Sequence, residues 1–307
     1  MTDDLQKKSV KKLLNKAVEI AMNPAQSDNT AFMNKALVQA NLPHSKPKSD
    51  VWWRKNGNLT LSIQAGLNHK TQKSYGLPYG TIPRLALLYL ITQAIKTKSR
   101  RIELGATLTA FMREIGLNPD NGTGAKSDSK RLTEQMNRLF NARFSFTEEL
   151  TDSNGNTGER RLNMQVANKS ELWWDIKNTE QTSIFSSWLE LGEDFFNAIT
   201  ANPVPIDFRA AVALKQSPLA LDLYILLCLE AFKAHKTQQG RFIPYVSLME
   251  QMGSSYNDVK PFKQNLKKAL RKVKTVAPTI HLIDRDGGIF IASDSLPAIQ
   301  TVQKPVD

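Results

Sequence analysis

The residues with the most chemistry to offer lie near the C-terminal end, in the stretch VKPFKQNLKKALRKVKTVAP at 259–278. From Lys260 to Lys274 it carries seven Lys or Arg and no Asp or Glu. Such side chains donate hydrogen bonds and positive charge to phosphate oxygens. Arg and Lys also match guanine O6 and N7, and Gln pairs bidentately with adenine. Phe262, Leu266, Ala269, Leu270 and Val273 recur at helical spacing and form one apolar stripe that faces a core. Projected at about 100° per residue, Lys260, Gln264, Lys268 and Arg271 lie opposite that stripe, Lys263 and Lys274 on one flank, and Asn265 and Lys272 on the other. Asp258 is placed to cap the N-terminus, and Pro261 falls in the first turn, where amides have no intrahelical partner. Two readings fit this helix alone: a solvated basic face, or a helix laid into a DNA groove.

The elements around it bear on the choice, because the chain contains an approximate internal repeat. TIPRLALLYLITQAIKTKS (81–99) and SPLALDLYILLCLEAFKAHK (217–236) each read as a long apolar helix opening on Thr or Ser with an early Pro. Each is followed by a short extended piece, RIEL (101–104) and RFIP (241–244), and then by a second helix, TLTAFMREIG (107–116) and YVSLMEQMG (245–253). The third helix is SDSKRLTEQMNRLFNAR (127–143) in the first copy and the basic stretch in the second. Each third helix leads into a hairpin, with turns around Asp152–Gly155 and Asp286–Gly288 and alternating apolar residues at Phe144/Phe146, Leu162/Met164/Val166 and Ile289/Ile291. Helix, strand, helix, helix, hairpin is the order of a winged-helix domain, whose third helix enters the major groove. The expected fold class is therefore α+β, tandem winged-helix domains with a less ordered N-terminal arm. The expected division is an arm with a short helix over 1–50, a first domain over 51–175 and a second over 184–307, joined through the polar segment 175–183.

Composition bounds the function. The chain has 307 residues and a formal net charge of +12, with an isoelectric point near 9.6, so its surface attracts polyanions. No apolar run is long enough to span a bilayer, and no secretory signal is visible, so the expected location is cytoplasmic and no membrane partner is expected. A single cysteine, Cys228, rules out an intrachain disulfide and a Cys-rich zinc site. The four histidines, His44, His69, His235 and His281, lack ligand spacing, so neither metal nor cofactor is expected. There is no phosphate-binding G-x-x-x-x-G-K-[ST] and no His-x-His pair, so neither ATP hydrolysis nor DNA nicking is expected. Trp52/Trp53 and Trp173/Trp174 suit either core packing or base stacking.

Long segments of the chain resemble the plasmid-encoded RepA-type replication initiators. They are GLPYGTIPRLALLYLITQAIKTKSRRIELGATLTAFMREIGL (76–117), SKRLTEQMNRLF (129–140), FSSWLELGEDFFNAI (185–199) and VPIDFRAAVALKQSPLALDLYILLCLEAF (204–232). The resemblance spans roughly 50–295 and implies two winged-helix domains that bind short direct repeats, iterons, in double-stranded DNA at a plasmid origin. It further implies origin opening, recruitment of host replication proteins such as the helicase, monomer–dimer self-association and autorepression. A winged-helix transcriptional repressor with no replication role is the alternative, and an enzyme with an unrecognised site a third reading.

Position on the helices assigns candidate DNA contacts. In the second domain Gln264, Lys268 and Arg271, with Lys260 near the helix start, are expected to read bases, and Lys263, Lys267, Lys272 and Lys274 to hold phosphates. In the first domain the stripe is Leu132, Met136, Leu139 and Phe140. Lys130 and Arg138 lie away from it, Arg131 and Gln135 on its edge, and Glu134 makes this the weaker reader. In the wings, Arg285 sits at the second tip and Arg161, beside Arg160, follows the first turn; such arginines enter a minor groove, clamp a phosphate or remain solvated.

Overall fold

The computed structural model describes residues 2–39, 41–120, 127–173, 179, 181, 187–252, 256, 258–296 and 299, with the backbone alone at 2–6 and 9. In chain order, α1 (Thr2–Met22) is followed by a 3-10 turn at Ser27–Asn29, β1 (Thr30–Asn34) and α2 (Lys35–Gln39). Next come β2 (Val51–Asn56), β3 (Leu59–Gln64), β4 (Leu67–Asn68), β5 (Lys73–Ser74), α3 (Thr81–Thr97), β6 (Arg101–Gly105), α4 (Leu108–Glu114) and α5 (Asp128–Asn141). Then follow β7 (Arg143–Thr151), β8 (Thr157–Gln165), β9 (Ala167–Glu171), β10 (Ser187–Leu191), α6 (Glu193–Ala201), β11 (Pro203–Asp207) and α7 (Phe208–Ala213). The chain closes with α8 (Pro218–Thr237), β12 (Arg241–Pro244), α9 (Tyr245–Met252), α10 (Val259–Val276), β13 (Leu282–Arg285) and β14 (Gly288–Ile291). The architecture is α+β, and helix–strand–helix–helix–hairpin occurs twice.

Two compact units form: Met1–Val38 with Val204–Asp307, and Gln39–Pro203. In the first, α8 is the central helix, buried from Leu219 to Ala231, as its largely apolar sequence requires; the two carboxylates in that span, Asp222 and Glu230, are buried with it. Ser217 caps it, its Oγ accepting from Ala220 N at 3.3 Å. Strands order as β12-β14-β13, with Leu282 opposite Ile291 and Arg285 opposite Gly288. Gly287 takes φ +77° in the connecting turn, and a Cβ on Gly288 would lie 2.4 Å from Ile243 O. Both glycines are therefore required for this tight wing to form.

The N-terminal segment departs from the expected loose arm. Helix α1 runs for 21 residues and packs along α10 and α7. β1 pairs with β11, and Gln251 Nε2 of α9 donates to Val38 O at 2.9 Å. Residues up to 38 thus complete the C-terminal unit. The polar, proline-containing sequence at 23–50 hid this, because the short strand there, β1, is stabilised by a partner far along the chain, β11.

In the second unit α3 is the central buried helix. Its N-cap is Gly80, with no side-chain cap. Buried Arg84 donates to Leu42 O at 2.6 Å, Gly80 O at 2.6 Å and Pro43 O at 3.1 Å, fastening the loop at 41–43 to the helix. The sheets differ from the simple expectation. β2-β3-β7-β8 form one sheet and β6-β10-β9 another, so β10 lies between β6 and β9, which follows the wing strand β8 after a single residue. Helix α6 packs on β8 and α3, with the Phe195 ring 6.3 Å from that of Phe144. Residues 187–203 therefore belong with the preceding unit rather than opening the next. Most of the expected joint at 175–183 lies outside the described residues.

Candidate nucleic-acid interface

Helix α10 lays its stripe inward. Phe262, Leu266 and Val273 are fully buried, with Ala269 and Leu270 nearly so. Asp258 Oδ1 accepts from Lys260 N at 3.0 Å and caps the helix. The opposite face carries Lys260, Gln264, Lys268 and Arg271, all exposed, with Lys272 and Lys274 exposed beside them. These side chains form one cationic ridge on a helix whose other side is committed to the core.

Three flanking lysines have additional roles that helical spacing did not reveal. Half-buried Lys263 lies over the Tyr245 ring, its Nζ 4.6 Å from the centroid, a cation–π arrangement. Lys267 Nζ is 2.7 Å from Asp284 Oδ2 on β13, and Asp284 also accepts from the Tyr245 hydroxyl. Lys274 Nζ donates to Leu282 O at 3.0 Å. Together these contacts tie the wing hairpin to the recognition helix. The Lys267 and Tyr245 hydrogen bonds hold the Asp284 carboxyl below its usual range, while burial and then the Asp284 contact push the Tyr245 phenol well up. Arg285 is exposed in the hairpin, with its guanidinium 3.6 Å from the centre of the Phe290 ring, a cation–π contact.

Helix α5 of the other unit offers less. Its stripe, Leu132, Met136, Leu139 and Phe140, is buried as expected, and Lys130 and Arg131 are exposed. Gln135 and Arg138 are not: they are 5% and 7% exposed. Gln135 Oε1 accepts from Tyr79 N at 2.9 Å. Arg138 donates to Leu77 O at 3.2 Å and to Glu134 Oε1 at 2.6 Å, under the Tyr79 ring at 5.3 Å. The segment 76–79 crosses this face of α5, and a Cβ on Gly76 would meet Arg138 Nη1 at 2.4 Å. Gln135 and Arg138, expected as DNA contacts, are thus corrected to buried fold residues: the Gln135 carbonyl oxygen and one Arg138 nitrogen serve the crossing segment, and the other Arg138 bonds go to Glu134 on α5 itself. A single helix projection carries no signal of a loop that returns across the helix.

On the wing of this unit Arg161 pairs with Glu159 and Arg160 with Glu148 at 3.3 Å, all on the surface. Trp52 is half-buried, with Nε1 donating to Asn41 O at 3.3 Å and Arg54 4.0 Å over its ring. Trp53 is 62% exposed and Trp173 49%; Trp174 lies outside the described residues. Among the described residues there is no group of three His, Cys, Asp or Glu able to hold a metal ion and no helix long and apolar enough to cross a membrane.

Comparison with known proteins bears on this arrangement. Residues 77–246 match the family model described as plasmid encoded RepA protein. A crystal structure of selenomethionine derivatives of domains 2 and 3 of RctB is similar over 84% of this chain and 95% of that one, at 11% identity and a TM-score of 0.51. A second RctB structure, of domains 2–3, covers 83% and 94% at 11% identity and a TM-score of 0.44. No curated protein sequence matches. The first RctB structure shares the fold of tandem units, and the family match spans more than half of the sequence, from the residues that open α3 through α8 to the start of α9. The chain belongs to the family of plasmid-encoded RepA-type replication initiators.

Proposed function

We propose that the protein initiates replication by binding repeated sites in the double-stranded DNA of its plasmid's origin, with α10 in the major groove. The observation that carries this reading is the ridge of Lys260, Gln264, Lys268 and Arg271, exposed opposite a buried apolar stripe, on the third helix of a winged-helix unit. Lys272 and Arg285 flank the ridge where phosphates run past a bound helix. The second unit contributes through Lys130, Arg131 and Arg161. No catalytic step is assigned to the protein; it acts in the cytoplasm by distorting the duplex and presenting the opened origin to host helicase. Self-association and repression of its own gene are part of the same proposal.

Permanganate probing of the supercoiled origin separates initiation from repression. Addition of the protein is expected to expose unpaired thymines beside the repeats. Protection of an operator with no unpaired thymines would favour the transcriptional repressor.

A further inference from the structure

Helix α1 carries a row of lysines that the recognition helix alone does not explain. Lys8, Lys12 and Lys16 are spaced by four residues, so they stand on one face. That face lines an open cleft of about 670 Å³ together with the α7–α8 turn and Lys272 of α10. Lys215 and Lys272 project into the same cleft. Among the described residues that line it, five lysines thus accompany one carboxylate, Glu19, which is paired with Lys16 at 2.6 Å. Leu13 and Leu214 also line it, so the cations stand beside apolar surface.

The row is held in a fixed place. Arg209 Nη1 donates to Asn23 O at 2.9 Å, just past the end of α1. Asp207 clamps that guanidinium from below, accepting at 3.0 and 2.7 Å, and is itself 3% exposed. Lys272 belongs both to the flank of α10 and to the cleft, so the positive surface is continuous from the ridge of α10 to α1.

We infer that α1 and the α7–α8 turn form a second phosphate track, which grips the duplex backbone beyond the site read by α10. The inference rests on the proposed DNA reading and extends it to the N-terminal helix. A polyanion is the occupant whose chemistry fits: closely spaced cations bordering the candidate interface match phosphates at regular intervals, and lysine suits them as a point charge without base preference. The track adds affinity and register, not sequence.

The test compares Lys8→Ala/Lys12→Ala and Lys215→Ala with wild type on an origin duplex and a random duplex, with Arg271→Ala measured in parallel. The double variant is expected to reduce the slope of log K against log salt by about two units, given roughly 0.9 per phosphate contact. Specific and random binding should weaken alike, and hydroxyl-radical protection should shorten on one side of the site. Unchanged slope and footprint in the lysine variants, with Arg271→Ala impaired, would overturn the track while leaving the α10 reading intact. If Arg271→Ala is also unimpaired, the DNA reading itself fails. Wild-type capture of poly-L-glutamate, lost in the lysine variants while DNA binding holds, would assign the cleft to an acidic protein segment and also overturn the track. Equal thermal unfolding of the variants shows that lost lysine charge, not misfolding, accounts for the result.

Discussion

At the scale of single residues, substitutions in the exposed ridge test whether it reads DNA sequence or only attracts phosphates. Lys268→Ala and Arg271→Ala are each expected to lose roughly 1–3 kcal/mol of discrimination between the origin repeat and a random duplex, measured as the ratio of the two affinities. Equal weakening on both duplexes would make them phosphate contacts. Arg138→Ala should behave oppositely. It removes hydrogen bonds from a buried guanidinium and is expected to cost about 1–3 kcal/mol of stability without changing base preference. Altered base preference at full stability would contradict its inward placement. Both arginines lie on third helices away from the calculated centre of the apolar stripe, so residue type and spacing do not distinguish them. The difference lies in residues 76–79, which return across α5, whereas Arg271 is exposed.

At the scale of elements, α10 and the β13–β14 hairpin are joined through Asp284. The lowered Asp284 carboxyl and raised Tyr245 phenol fix the pH window of this tie. Asp284 contributes stability that is fully present above its ordinary pKa of about 3.9 and lost as pH falls through the lower folded value. Tyr245 contributes below its ordinary pKa of about 10 and loses this as pH rises through the raised one. The Tm gap between wild type and Asp284→Asn should therefore be flat between about pH 5 and pH 9 and close in acid. A gap that changes steadily across neutral pH would show that another group controls the wing. The pair is half-exposed, so the gap should be small. Leu266→Ala, in the buried stripe, should cost roughly 2–5 kcal/mol in chemical denaturation, and unchanged unfolding would mean that α10 is turned differently. The stripe and the Asp258 cap were legible because both are local to the helix. The Lys267–Asp284–Tyr245 contact was not, since its members lie on three elements and meet only after folding.

At the scale of the whole molecule, the two repeats were legible from the order of elements, and the units they build were not. Sequence order places α1 and β1 before the first repeat, yet α1 packs on α10 and β1 pairs with β11. Likewise β10 follows the first repeat but enters its sheet between β6 and β9. Long-range pairings of this kind carry no periodic signal in a single sequence. They also change the functional picture, because the N-terminal lysines become part of the surface beside the recognition helix. The central claim is that the outward face of α10 reads repeated DNA sequence. Its most direct test is a footprint of the wild type and of the Lys268→Ala/Arg271→Ala double variant across the origin of the encoding plasmid. Periodic protection over direct repeats by the wild type, erased in a folded double variant, is the predicted result. Protection that persists in the variant, or a wild-type footprint with no relation to repeats, would contradict it.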